Sequence, residues 1–149
     1  MPIEMNELFG IAGKVAVITG AGGVLGGNIA KHFMRQGAKV VAVDIRQEQL
    51  DKRVSELKQY GNEVIGVVGD VLDVASLGKL AGQVLSQWGK IDILLNIAGG
   101  NMPGATLEPE QHFYDMDIAC WEKVTGLNMN GTVSVSYTHL RAHETEADL

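Results

Sequence analysis

Residues 14–19, Lys14-Val15-Ala16-Val17-Ile18-Thr19, form a short apolar run that stops at glycines. That is the pattern of a strand buried on both faces. Helical spacing follows over 25–36, with Ile29, Phe33 and Met34 on one stripe and Gly37 where a left-handed C-terminal cap belongs. Residues 39–43 predict a second strand closed by Asp44, and 47–60 a polar helix whose Leu50, Val54 and Leu57 face a sheet, ended by Gly61. The alternation repeats. Residues 63–68 give a third strand with Asp70 after it, and Asp73 caps a helix to about Trp88 with Leu77, Leu80, Val84 and Leu85 inward. Residues 91–95 give a fourth strand ending at Asn96; a loop over 99–109 and a helix over 110–130 complete the pattern.

Apolar strands alternating with helices across short connections predict right-handed βαβ units on a parallel sheet. The expected fold class is therefore α/β, a Rossmann-like doubly wound sheet of about four strands with flanking helices. Ligands of such sheets bind at the carboxyl ends of the strands, where Asp44, Asp70 and Asn96 lie.

Composition narrows the function. The 149 residues carry 12 Lys+Arg against 18 Asp+Glu, a net charge of −6 without a basic cluster, which argues against nucleic-acid binding. One cysteine, Cys120, makes no internal disulfide and no Cys-x-x-Cys pair. No apolar run reaches the roughly 18–20 residues of a membrane span, and the acidic start is unlike a presequence. The expectation is a cytoplasmic protein with no membrane or nucleic-acid partner.

Glycine changes the picture most. There are 19, and Gly20, Gly22, Gly23, Gly26 and Gly27 crowd between the first strand and first helix. Glycines there let the backbone turn tightly and approach a pyrophosphate, while the helix N-terminus offers free N–H groups and partial positive charge. The alternative is a flexible turn, but strand, glycines, helix and acid occur in the order a dinucleotide site requires. Asp44 is that acid. Its carboxylate can accept hydrogen bonds from the adenosine ribose of NAD and would repel the 2′-phosphate of NADP. A turn-capping aspartate is the structural alternative, and the neighbouring Arg46 could accommodate a phosphate; NAD is the expected cofactor, NADP the less favoured one.

These motifs make residues 8–133 resemble the N-terminal half of a short-chain dehydrogenase/reductase. The family's Thr-Gly-x-x-x-Gly-x-Gly loop falls on Thr19, Gly20 and Gly26, with Val24 in place of the middle glycine and Gly22, Gly23 and Leu25 beside it. Asp70-Val71 matches the family's adenine contact. Asn96-Ile97-Ala98-Gly99 matches Asn-Asn-Ala-Gly with one change, and Asn128 matches the asparagine of the catalytic tetrad, which holds a water in the proton relay. The resemblance implies cofactor contacts at Thr19, Gly20, Gly22, Gly23, Val24, Leu25, Gly26, Asp44, Asp70, Val71, Asn96, Ala98 and Gly99, a catalytic Asn128, and a homodimeric or homotetrameric parent enzyme. The loop from Gly99 to Thr106 and the stretch to Trp121 resemble the branch containing D-mannonate oxidoreductases (fructuronate reductases). That implies a small-molecule sugar-acid substrate met by Asn101 and Met102.

In this family a strand bearing Ser and then Tyr-x-x-x-Lys follow the asparagine. Tyr137-Thr138-His139-Leu140-Arg141 imitates the latter, but it lies too close to Asn128, has no intervening strand, and carries arginine, whose fork does not replace a compact ammonium. Residues 135–145 instead resemble a translated sequencing adapter. The expected organisation is 1–133 as the N-terminal portion of an NAD-binding domain and 134–149 as a non-native tail, with negligible turnover from the chain alone. Such a piece would also leave its fourth strand exposed and prone to aggregate.

His139 and His143 are spaced i, i+4 but lack a third ligand, so no metal is expected. His32 and His112 are read as solvent-facing helical residues, Cys120 and Trp121 as packed in the core or at a helix interface, Met102 and Met116 as packing residues, and Glu108, Glu110, Asp115 and Asp117 as a solvated helix start. Two other functions remain open, a Rossmann-like methyltransferase and a non-catalytic nucleotide-binding module.

Overall fold

The computed structural model describes residues 9–61 and 63–142; the acidic start and the end of the tail, His143 included, lie outside them. Four parallel strands, β1 (Val15–Thr19), β2 (Lys39–Asp44), β3 (Val64–Val68) and β4 (Ile93–Asn96), form one sheet in the order β3-β2-β1-β4. The central strands are apolar on both faces because both faces are covered. Ile18, Val40 and Ala42 point to one side, where Met34 of α1 (Val24–Arg35) and Leu50 and Leu57 of α2 (Gln47–Leu57) pack. Val15, Val17, Val41 and Val43 point to the other, against Leu80 and Val84 of α3 (Val74–Trp88). Each of Leu50 and Leu57 is only 1% exposed, burial that stabilises by roughly 1.5–3 kcal/mol per side chain.

The expected punctuation is present. Gly37 after α1 has φ +80° and Gly61 after α2 has φ +154°, both in the region that favours glycine. Asp73 caps α3 by accepting from Ala75 and Ser76 N–H.

The segment after β4 departs from the expected helix over 110–130. A single 3-10 turn, Phe113–Asp115, is boxed by His112 and Asp115, and the α-helix α4 (Ile118–Thr125) starts only at Asp117. Asp117 is the effective cap because its carboxylate accepts from both Ala119 and Cys120 N–H. The chain then passes through a π-helical stretch, Gly126–Asn130, into α5 (Gly131–Arg141). Gly131 is buried where a Cβ would lie 2.7 Å from the Val71 side chain, so α5 crosses close to the strand ends. Trp121 is 47% exposed rather than core; α4 packs chiefly on the Pro103–Ala105 turn and the π-helical stretch rather than on the strands.

Candidate functional site

At the carboxyl ends of the strands lies a cleft of about 390 Å³, within the range of small-molecule sites. Thr19, Gly20, Gly23, Val24, Leu25 and Gly26 form its floor, and Asp44, Asp70, Val71, Ala98 and Gly99 its walls. The fold thus brings eleven of the residues singled out in the sequence to one concavity.

Close contacts explain the residue types. Thr19 is buried, and its hydroxyl accepts from Ile97 and Ala98 N–H, each at 3.1 Å, which ties the end of β1 to the segment after β4. Gly20 has φ +67°, and a Cβ there would lie 2.8 Å from the Ala98 nitrogen. A Cβ on Gly26 would strike the Gly20 carbonyl. At Gly20, Gly23 and Gly26 the floor is therefore bare backbone, open to the close approach of a ligand, while the exposed side chains of Val24 and Leu25 flank it. Gly23 ends the loop as the N-cap of α1, which has neither a side-chain cap nor an acid in its first turn. Its leading N–H groups remain available to an anion. These features fit the pyrophosphate of a dinucleotide.

Asp44 is 5% exposed and its carboxylate is already engaged. One oxygen accepts the Gly22 N–H at 3.0 Å; the other accepts Arg46 N–H at 3.1 Å and Arg46 Nε at 3.2 Å. Gly22 therefore acts behind the cleft, holding the loop onto Asp44, and a Cβ on it would lie 2.7 Å from that oxygen. The oxygen that accepts Gly22 N–H retains acceptor capacity for a hydroxyl, whereas the one that accepts both Arg46 donors is filled. Arg46 joins the wall beside its partner, as do Ile45, Gly69, Ile97 and Leu127. Ile45, Gly69 and Leu127 carry no signal in the sequence pattern; their place follows from standing next to strand ends and the π-helical stretch.

Besides Gly22, four expected residues lie off this cleft. Asn96 is half-buried and donates to Ser136 Oγ at 3.0 Å. Asn128, in the π-helical stretch, holds both backbone groups of one residue: its Oδ1 accepts Gly100 N–H at 3.0 Å and its Nδ2 donates to Gly100 O at 2.9 Å. Asn101 and Met102 are exposed on the following loop, where Asn101 donates to Thr106 Oγ1. Tyr137 is exposed on α5 and is not part of the cleft wall. No group of three or more metal-ligating side chains occurs among the described residues, and no described helix is long and apolar enough to cross a membrane.

Residues 14–147 match the short chain dehydrogenase family. The chain belongs to that family. It is 37% identical over 144 residues to the uncharacterized oxidoreductase UxuB of Bacillus subtilis, covering 91% of this chain and 50% of the relative. A solved structure assigned as a D-mannonate oxidoreductase from Haemophilus influenza, with NAD bound, matches with a TM-score of 0.81 at 31% identity, over 88% of this chain and 50% of that one. A variant of actinorhodin polyketide ketoreductase with NADPH matches with a TM-score of 0.73 at 29% identity, over 87% and 47%. The chain spans about half the length of the proteins it matches. Relatives thus occur with both nicotinamide cofactors.

Proposed function

We propose that the cleft binds the adenosine and pyrophosphate half of NAD(H), and that the whole protein is an oxidoreductase interconverting a secondary alcohol and a ketone. The nicotinamide would supply or accept the hydride. In this reading Thr19, Gly20, Gly22, Gly23, Val24, Leu25 and Gly26 build the phosphate loop, and Asp44 accepts a ribose hydroxyl at its remaining acceptor position. Asp70 and Val71 flank the adenine, and Asn96, Ala98 and Gly99 continue the wall. The observation that carries the reading is the juxtaposition of the bare backbone at Gly20, Gly23 and Gly26 with the buried Asp44 carboxylate. Asp44 favours NAD over NADP, because a 2′-phosphate would bring a second anion to it.

Asn128 is proposed as the catalytic asparagine. Its side chain is spent on Gly100, so its contribution would come through the backbone of the π-helical stretch, a type of irregularity frequent at functional sites. Likeness to the D-mannonate oxidoreductase supports a sugar-acid substrate near Asn101 and Met102. No tyrosine of the sequence has lysine four positions on, so the chain alone is expected to lack the proton donor for turnover. A homodimeric or homotetrameric parent in the cytoplasm belongs to the same proposal. So does the reading of 134–149 as a foreign tail, although α5 crosses residue 133 without a break. Reading the gene past codon 133 tests it: a downstream Ser and Tyr-x-x-x-Lys support the enzyme, and their absence leaves a non-catalytic cofactor-binding module.

Saturation-transfer NMR tests the binding reading. NADH is expected to receive saturation at its adenine and adenosine-ribose protons, and S-adenosylmethionine to receive none. Equal or greater transfer to S-adenosylmethionine would overturn the dinucleotide reading.

A further inference from the structure

The geometry points to Arg53 as a positioning residue for the phosphate-binding loop, an inference that rests on the cofactor reading above. Arg53 sits on α2, thirty positions from the loop, yet its Nη2 donates to the Gly23 carbonyl at 3.3 Å. Gly23 lines the cleft and caps α1. The guanidinium lies across Gly27 in the first turn of α1, where a built Cβ would collide with Nε and Cζ. Gly27 does not line the cleft; its lack of a side chain gives Arg53 its path.

Two features show that this placement is unfavourable without a ligand. The Arg53 Nε is buried and has no hydrogen-bond partner among the described residues, whereas buried donors are ordinarily satisfied. The cation also stands by the N-terminal end of α1, the positive end of the helix dipole. Glu56 offsets part of this, accepting from Nη1 at 2.7 Å. A pyrophosphate at the helix end would reverse the sign of the second effect, because anion, guanidinium and helix end then attract one another. The Gly23 carbonyl already accepts Gly27 N–H at 3.1 Å, so Arg53 would reinforce its orientation away from the anion and add positive potential behind the loop. The adenosine end of the cleft, at Asp44 and Asp70, would not depend on it.

Titration of the full chain with NADH and, separately, with adenosine tests this. Arg53→Met is expected to weaken NADH binding about tenfold, equivalent to about 1.4 kcal/mol, and to leave adenosine binding unchanged. Gly27→Ala, which displaces the guanidinium, is expected to weaken NADH in the Arg53 background and to add no further loss to Arg53→Ala. Equal NADH affinity in Arg53→Met, parallel losses of NADH and adenosine, or additive losses at Gly27 and Arg53 would each overturn the inference. Failure of the unsubstituted chain to bind NADH would overturn the cofactor reading itself, and this inference with it.

Discussion

The Asp44 carboxylate accepts the backbone N–H of Gly22 at 3.0 Å, so the acid ending β2 is fastened to the glycine loop that follows β1. The same side chain thus shapes the phosphate loop and stands at the proposed ribose site. Substituting it removes both functions. Asp44→Ala is expected to weaken NADH binding roughly ten- to a hundredfold, the range for hydrogen bonds to a charged group, and to narrow the gap between NADH and NADPH. Titration calorimetry with both cofactors reads it; an unchanged NADH affinity would contradict the role given to Asp44.

Gly20 combines φ +67° with a Cβ site 2.8 Å from the Ala98 nitrogen. Gly20→Ala is expected to destabilise the chain by about 1–3 kcal/mol, the cost of a side chain in a sparsely populated backbone region, with additional displacement of the segment after β4. Urea unfolding measures the loss, and a midpoint equal to that of the parent chain would count against the described loop.

Asn128 grips both backbone groups of Gly100 through its own acceptor and donor. Asn128→Ala is expected to speed hydrogen exchange at the Gly100 amide well beyond any change at core amides such as Val41, because the loss is local. Unchanged protection at Gly100 would show that the grip does not order this loop in solution.

Asp92 anchors the start of β1. It accepts Val15 N–H at 2.8 Å and pairs with Lys90 and Lys14. The Lys90 hydrogen bond, with the Val15 N–H and the two lysine charges, outweighs desolvation and holds the Asp92 carboxyl below its ordinary value. A lowered folded pKa stabilises the fold above the unfolded value near 3.9, and that stabilisation is lost as pH falls through the folded value. Asp92→Asn is therefore expected to unfold earlier in urea than the parent at pH 7, with the gap closing below about pH 4. A gap that persists undiminished in acid would assign the effect to lost shape rather than charge.

Much of this architecture is legible in the residues themselves. Val15–Thr19 and Lys39–Asp44 read as strands because two-sided burial leaves an unbroken apolar run, and Gly37, Gly61 and Asp73 punctuate the helices by local chemistry. The start of α4 is not legible, since Glu108, Glu110, Asp115 and Asp117 all suit an acidic first turn; only the tertiary path, which includes the Asp117 N–H bond to the Gly104 carbonyl, selects Asp117. Trp121 misleads for a related reason, because a large apolar side chain predicts burial while the helix face it occupies faces solvent. At the site, Thr19, Gly20, Gly26 and Asp44 announce themselves by order and spacing. The hold of Asn128 on Gly100 and of Arg53 on Gly23 spans 28 and 30 residues, and no local pattern encodes it.

The proposed NAD site is made by the glycine loop and Asp44 together. Isothermal titration of the chain with NADH, with S-adenosylmethionine as the control, measures it most directly. The expected result is saturable NADH binding that ADP-ribose competes away, and no heat from S-adenosylmethionine. Saturable S-adenosylmethionine binding with none for NADH would contradict the account.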